Sequence, residues 1–187
     1  MNLRVRKALP SDFTAIMDLH DNWVFQDGET APHHGFLLLR SDRKSLASRL
    51  DSGAWDGLIA EIDGAFAGYL ISSPDIPEVT SLEWLVNLTH LPLETCHRHV
   101  REIAVFPSRL KKGVGRQLYS ELSFAYNITC ISAFVAMRPV CNVASEAFHR
   151  KLGFREAAYF RSPDFLGYQD YSSTLFVNMD LNQLKIT

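Results

Sequence analysis

Residues 99–122 restrict what this chain can fold into more than any other stretch. An apolar run, a turn opened by Pro107, a basic glycine loop and an amphipathic helix follow one another without a break. Val114, Leu118, Leu122 and Ala125 recur every three to four residues, which gives one helical face an apolar stripe. The preceding loop, Arg109-Leu110-Lys111-Lys112-Gly113-Val114-Gly115-Arg116, sets four cationic side chains among two glycines. Glycine lets a ligand approach the backbone closely, and the first helical turn carries N–H groups without intrahelical partners. With the positive end of the helix dipole these make an anion site, for which phosphate is the usual guest. The strand–loop–helix therefore reads as a holder for a pyrophosphate. A Gly-x-Gly alone is a weak signal, and a Lys/Arg cluster also suits a solvated surface. The G-x-x-x-x-G-K-[ST] loop and the dinucleotide fingerprint are both missing.

Further along comes Asn142-Val143-Ala144-Ser145-Glu146-Ala147-Phe148-His149-Arg150-Lys151-Leu152-Gly153-Phe154. Together the two segments resemble the GNAT superfamily of acyl-CoA-dependent N-acyltransferases. The first resembles its Val-x-Pro-…-Gln/Arg-x-x-Gly-x-Gly/Ala motif through Val105, Pro107, Gly113 and Gly115. The second resembles Asn-x-x-Ala-x-x-x-Tyr-x-Lys-x-Gly-Phe through Asn142, Lys151, Gly153 and Phe154. Three positions depart: Leu110 stands in the Gln/Arg slot, Ser145 in the Ala slot and His149 in the Tyr slot.

The resemblance implies an α/β fold, a mixed and mostly antiparallel sheet of about six or seven strands flanked by about four helices and splayed at the acetyl-CoA strand. It implies acetyl-CoA as acyl donor and direct transfer to a primary amine in a ternary complex. The backbone of Ile103, Ala104 and Val105 would polarise the thioester carbonyl. Leu110, Lys111, Lys112, Gly113, Val114, Gly115 and Arg116 would hold the pyrophosphate, with Asn142, Phe148 and Lys151 completing the cofactor set. At Leu110 a side chain is lost but the loop N–H groups remain.

Three residues are candidates for proton transfer. Strand alternation puts His99, Arg101, Ile103 and Val105 on one face and Val100, Glu102 and Ala104 on the other. His99 matches the position where family members carry a base, and an imidazole titrates near working pH. Arg101 would lower its pKa by like-charge repulsion, or grip a carboxylate on the acceptor. Glu102 is the alternative base. His149, in the slot of the family's tyrosine, would protonate the departing thiolate as an imidazolium, or has lost that role. Each of these also has a plain structural reading, as a rim histidine, a solvent-facing carboxylate or a helix-surface histidine. Cys96-His97-Arg98-His99 is not read as a metal site, because alternation separates Cys96 from the histidines and no second ligand pair is near.

The 187 residues suit a single domain over residues 1–187, and the net charge of −2 gives no reason to expect nucleic acid or membrane as partner. No apolar run is long enough to span a bilayer, and three scattered cysteines fit a reducing cytoplasm. The acceptor is then a small-molecule or peptide amine, and a homodimer is left open.

From the N-terminus, residues 3–8 alternate as a strand, and Pro10-Ser11-Asp12 caps a helix with Phe13, Ile16, Met17 and Trp23 on its apolar face. A second helix is expected to start at Ser41 or Asp42 and stop near Gly53. Between them Phe25, Phe36 and Leu37 are candidates for lining the acceptor pocket. Asp63-Gly64 marks a tight hairpin. Leu82, Leu85, Val86 and Leu88 suggest a helix with Trp84 beside it. Residues 154–160 and 171–180 read as closing strands around a loop of residues 161–170, from which Tyr168 or Tyr171 would contact substrate. Two other readings stay open: a catalytically silent acyl-CoA sensor, and nucleic-acid binding through the basic loop.

Overall fold

The computed structural model describes residues 1–25, 33–38, 43–75, 83–86, 96–165 and 167–184. Its strands are β1 (Leu3–Lys7), β2 (Asp56–Ile62), β3 (Ala65–Ser73), β4 (Glu83–Val86), β5 (His97–Val105), β6 (Cys130–Arg138), β7 (Arg155–Phe165) and β8 (Tyr168–Asn178). The helices are α1 (Phe13–Asp21), α2 (Arg43–Asp51), α3 (Val114–Ala125) and α4 (Val143–Lys151). One sheet runs in the order β1-β2-β3-β5-β6-β8-β7-β4. Every neighbouring pair is antiparallel except β5 with β6.

Period-2 patterning divides the core between the two sheet faces. Leu58, Ala60 and Ile62 of β2 point to the face covered by α3, where they meet Leu118, Leu122 and the Leu152–Phe154 turn. Ile59, from the same strand, packs on the opposite face with Ile16, Leu19 and Leu46 of α1 and α2. Val114, Leu118 and Leu122 of the expected α3 stripe are buried, while Ala125, the last residue of the helix, is exposed. The β2–β3 turn takes positive φ at Asp63 (52°) and Gly64 (80°), as a tight right-twisting hairpin demands. Gly68 serves close approach: a Cβ there would come within 2.6 Å of the Ala104 carbonyl oxygen on β5.

Three expectations are corrected. The helix around Trp84 is instead the edge strand β4, which pairs with residues 158–161 of β7; a short apolar run satisfies either period, and an open sheet edge decided it. Leu82 and Leu88 lie outside the described residues, as do Ser41 and Asp42, the expected start of α2. The loop expected at residues 161–170 is mostly ladder: β7 and β8 stay paired out to Phe165 and Tyr168. Pro163 is tolerated there because β4 pairs no further than Arg161, leaving that edge of β7 without a described neighbour. Among the described residues the sheet thus has eight strands rather than six or seven. Among the described residues no helix is long and apolar enough to cross a membrane.

Candidate active site

The parallel pairing of β5 with β6 covers only His97–Val100 against Cys130–Ala133. Beyond Val100, β5 stays with β3 while β6 stays with β8, so the two strands part. The wedge between them opens into a cleft of about 1100 Å³, lined from both strands, the α3 N-terminus and α4. That volume exceeds the usual range for one small ligand, about 300–1,000 Å³, and leaves room for two.

At one end lies the loop before α3 and its first turn, the segment expected to hold an anion. Gly113 caps α3 in the left-handed region (φ 83°), with Lys111 before it at φ 61°. A Cβ on Gly115 would come within 2.7 Å of the Phe148 ring, so any side chain there would push that ring away from the first turn of α3. Leu110, Lys111, Gly113, Val114, Gly115, Arg116, Phe148 and Lys151 all line the cleft. Ile103, Ala104 and Val105 line it along the free edge of β5. Lys112 is not among the lining residues. Asn142 lines it too, but its amide already works inside the fold. Its Oδ1 accepts from the Ser145 N–H at 3.2 Å, and its Nδ2 donates to the Phe36 carbonyl at 2.8 Å.

Face assignments along β5 differ from simple alternation. Ile71 pairs with Glu102 and Ser72 with Val100, which leaves Arg101 as an extra, unpaired residue. This bulge inverts the pleat. Val100, Ile103 and Val105 therefore share the α3 face, while Ala104 packs on the α1 face. His99 lies with Glu102 and Ala104, not with Ile103 and Val105. The Arg101 Nε donates to Ser73 Oγ at 2.8 Å, and its guanidinium sits 4.5 Å above the Trp55 ring. Glu102 is buried; its Oε2 accepts from the Tyr69 hydroxyl at 3.1 Å and lies 3.1 Å from His20 Nδ1.

His99 is only 2% exposed, and its protonation pattern follows from its neighbours. His97 Nδ1 lies 3.2 Å from the Pro74 carbonyl, which can only accept, so Nδ1 carries the hydrogen. His97 Nε2 is then a bare acceptor, and the Ser132 hydroxyl, 2.8 Å away, donates to it. Having given its one hydrogen, Ser132 Oγ accepts from His99 Nδ1 at 2.8 Å. His99 is thereby held as the Nδ1–H tautomer with an unprotonated Nε2. Its pKa falls to about 3, first by burial and then by the Arg101 and His97 charges. Both groups are neutral at physiological pH, since burial also lowers His97.

His149 is not the helix-surface residue that its pattern suggested. The α4 face is rotated so that His149 is buried and Ala147 exposed. Its Nδ1 donates to the Ser145 carbonyl at 2.7 Å, which obliges Nε2 to accept from the Tyr119 hydroxyl, also at 2.7 Å. Burial lowers its pKa to about 4, so the expected imidazolium is not the resting form.

At the other end the cleft is aromatic. Phe36 lines it, with Phe25 behind at 5.1 Å between ring centroids. Phe25 is buried and does not reach the cleft. Tyr171 lines it and Tyr168 does not, because the longer hairpin moves the two out of the expected loop. Sequence reasoning missed Ser132, Tyr119 and Phe134, whose partners lie far away in the chain, and it read Trp23 only as a helix-face residue, not as part of the cleft lining. Trp23 Nε1 is buried without a hydrogen-bond partner among the described residues. No group of three metal-ligating side chains is found among them either.

A family model described as the acetyltransferase (GNAT) family matches residues 13–154. Among solved structures, the ribosomal-protein-alanine N-acetyltransferase from Brucella melitensis is 19% identical, with TM-score 0.64 over 94% of this chain and 99% of its own. YncA of Salmonella typhimurium, solved with its cofactor acetyl-CoA, is 16% identical, with TM-score 0.62 over 95% and 93%. A variant of the spermidine N-acetyltransferase SpeG from Vibrio cholerae is 14% identical, with TM-score 0.63 over 98% and 96%. No curated protein matches the sequence significantly.

Proposed function

The chain belongs to the GNAT acetyltransferase family, and from that membership we propose that it moves an acetyl group from acetyl-CoA to a primary amine by direct attack in a ternary complex. The observation that carries this reading is the position of His99: a neutral imidazole with a bare Nε2, at the point where β5 and β6 part and both substrates would meet.

Acetyl-CoA supplies a thioester-activated acetyl group. The N–H groups at the start of α3, with Lys111 and Arg116, suit its pyrophosphate. The β5 edge left open past Val100 offers backbone N–H groups to the extended arm and the carbonyl. His99 Nε2 takes the proton that the amine nitrogen loses as the new C–N bond forms. Burial holds His99 well below the usual imidazole range, so it rests neutral rather than titrating near working pH. The imidazolium formed in the step returns its proton to the departing sulfur. Glu102 is the less suitable base, because Tyr69 and His20 already surround its carboxylate. His149 serves to hold Tyr119 rather than to deliver a proton. None of the three cysteines lines the cleft, which favours direct attack over a covalent relay. We place the protein in the cytoplasm on the same reading, which its unpaired cysteines support.

The test combines calorimetry and turnover. Acetyl-CoA should bind with a Kd in the micromolar range and outrank ATP. Gly115→Asp should weaken binding by driving a side chain into the Phe148 ring. CoA release should require an added amine. Acetyl-CoA bound without turnover on any amine would favour the silent sensor, and no binding to folded protein would remove both.

A further inference from the structure

The acceptor end of the cleft is walled by a connected series of rings that begins at His99. The His99 ring lies 5.4 Å from Phe134, edge-on. Phe134 lies 6.1 Å from Phe160, which meets Phe165 at 5.5 Å and Tyr171 at 5.7 Å, both edge-on. Phe165 and Tyr171 stack at 4.5 Å with their planes 23° apart. All five line the same cleft. Offset and edge-on ring contacts are those that aromatic groups prefer, so a further planar ring would extend this wall with matched geometry. Glu102 is the single carboxylate among the described lining residues, and it already accepts from Tyr69.

We propose that the acceptor is a monoamine carried on a planar aromatic body, its amine at His99 and its ring against Phe134, Phe165 and Tyr171. This rests on the acetyl-transfer reading above and narrows it. A polyamine would bring further ammonium groups into a wall of rings, where a charge without a partner is costly. A peptide terminus would bring backbone groups whose hydrogen bonds the rings cannot satisfy. The same apolar surroundings disfavour the ammonium form of a bound monoamine and so favour the neutral nucleophile.

The experiment compares kcat/KM for 2-phenylethylamine, spermidine and a short peptide with an N-terminal alanine, by CoA release at saturating acetyl-CoA. The aromatic amine should lead by about tenfold or more, a margin that apolar contacts of this size provide. Phe165→Ala should raise KM for 2-phenylethylamine about tenfold and leave KM for acetyl-CoA unchanged. Phe165→Leu, which keeps apolar bulk without a flat ring, guards against a folding artefact and should fall between. Spermidine or the peptide leading, or an unmoved aromatic KM in both variants, overturns the aromatic acceptor while leaving acetyl transfer standing. Absence of turnover on every amine removes the transfer reading and this inference with it.

Discussion

Ser132→Ala tests the reasoning about His99 without touching His99. Ser132 is fully buried, and its Oγ joins His97 Nε2 and His99 Nδ1 at 2.8 Å each. Alanine leaves an acceptor and a donor without partners. Each unsatisfied buried group costs about 1–3 kcal/mol, so the two together should lower the unfolding free energy by about 2–6 kcal/mol. For a chain of this size that lowers Tm by roughly 4–24 °C. The effect on rate is separate. Without the hydroxyl, the Nδ1–H tautomer loses a bias worth about 1 kcal/mol, and kcat should drop about fivefold with KM for acetyl-CoA unchanged. Denaturant titration reads the first quantity and CoA release the second. A double variant with His97→Gln should be little slower than Ser132→Ala alone, since the two act through one chain of hydrogen bonds. Wild-type kcat in Ser132→Ala, or additive losses in the double variant, would refute the tautomer argument.

Acid should destabilise the protein from about pH 6.5 downward. His99 and His149 have folded pKa values lowered to about 3 and about 4, so between those values and 6.5 the unfolded chain binds protons the folded one does not. Stability then falls with falling pH by up to about 1.4 kcal/mol per unit per histidine, which urea titration at stepped pH measures. Gly68→Ala should cost about 3 kcal/mol, because its Cβ would meet the Ala104 carbonyl oxygen at 2.6 Å and Val105 Cα at 3.1 Å, backbone atoms that cannot swing aside; a loss under about 1 kcal/mol by the same titration would show that β3 and β5 can separate. Tyr119→Phe removes the hydroxyl that His149 accepts, and should lower stability by about 1–3 kcal/mol while kcat changes less than about threefold. A hundredfold loss of kcat in a folded Tyr119→Phe protein would make that pair a proton donor after all.

What could be read from the sequence was what the backbone itself dictates. The basic loop, Gly113 and Gly115 need particular φ values and close approaches, and those leave glycines at fixed intervals. His99 stands out in the sequence as a candidate through its place on a strand. Its partners do not, because Ser132 reaches it only through the β5–β6 register, which no local pattern records. The bulge at Arg101 inverted the expected faces of β5 for a similar reason, being set by pairing with β3. His149 was misread because α4 offers small residues on two faces, so the phase of the helix rests on tertiary packing. The aromatic wall gathers Phe134 from β6, Phe160 and Phe165 from β7 and Tyr171 from β8, strands whose adjacency appears only in the folded sheet.

The most direct test of the account is single-turnover acetyl transfer by His99→Ala beside the native protein, with acetyl-CoA affinity measured on both. A base that takes the amine proton contributes about a hundredfold to ten-thousandfold, so the chemical step should slow by that factor while acetyl-CoA binds as before. An unchanged rate in the variant would contradict the assignment of His99 as the base.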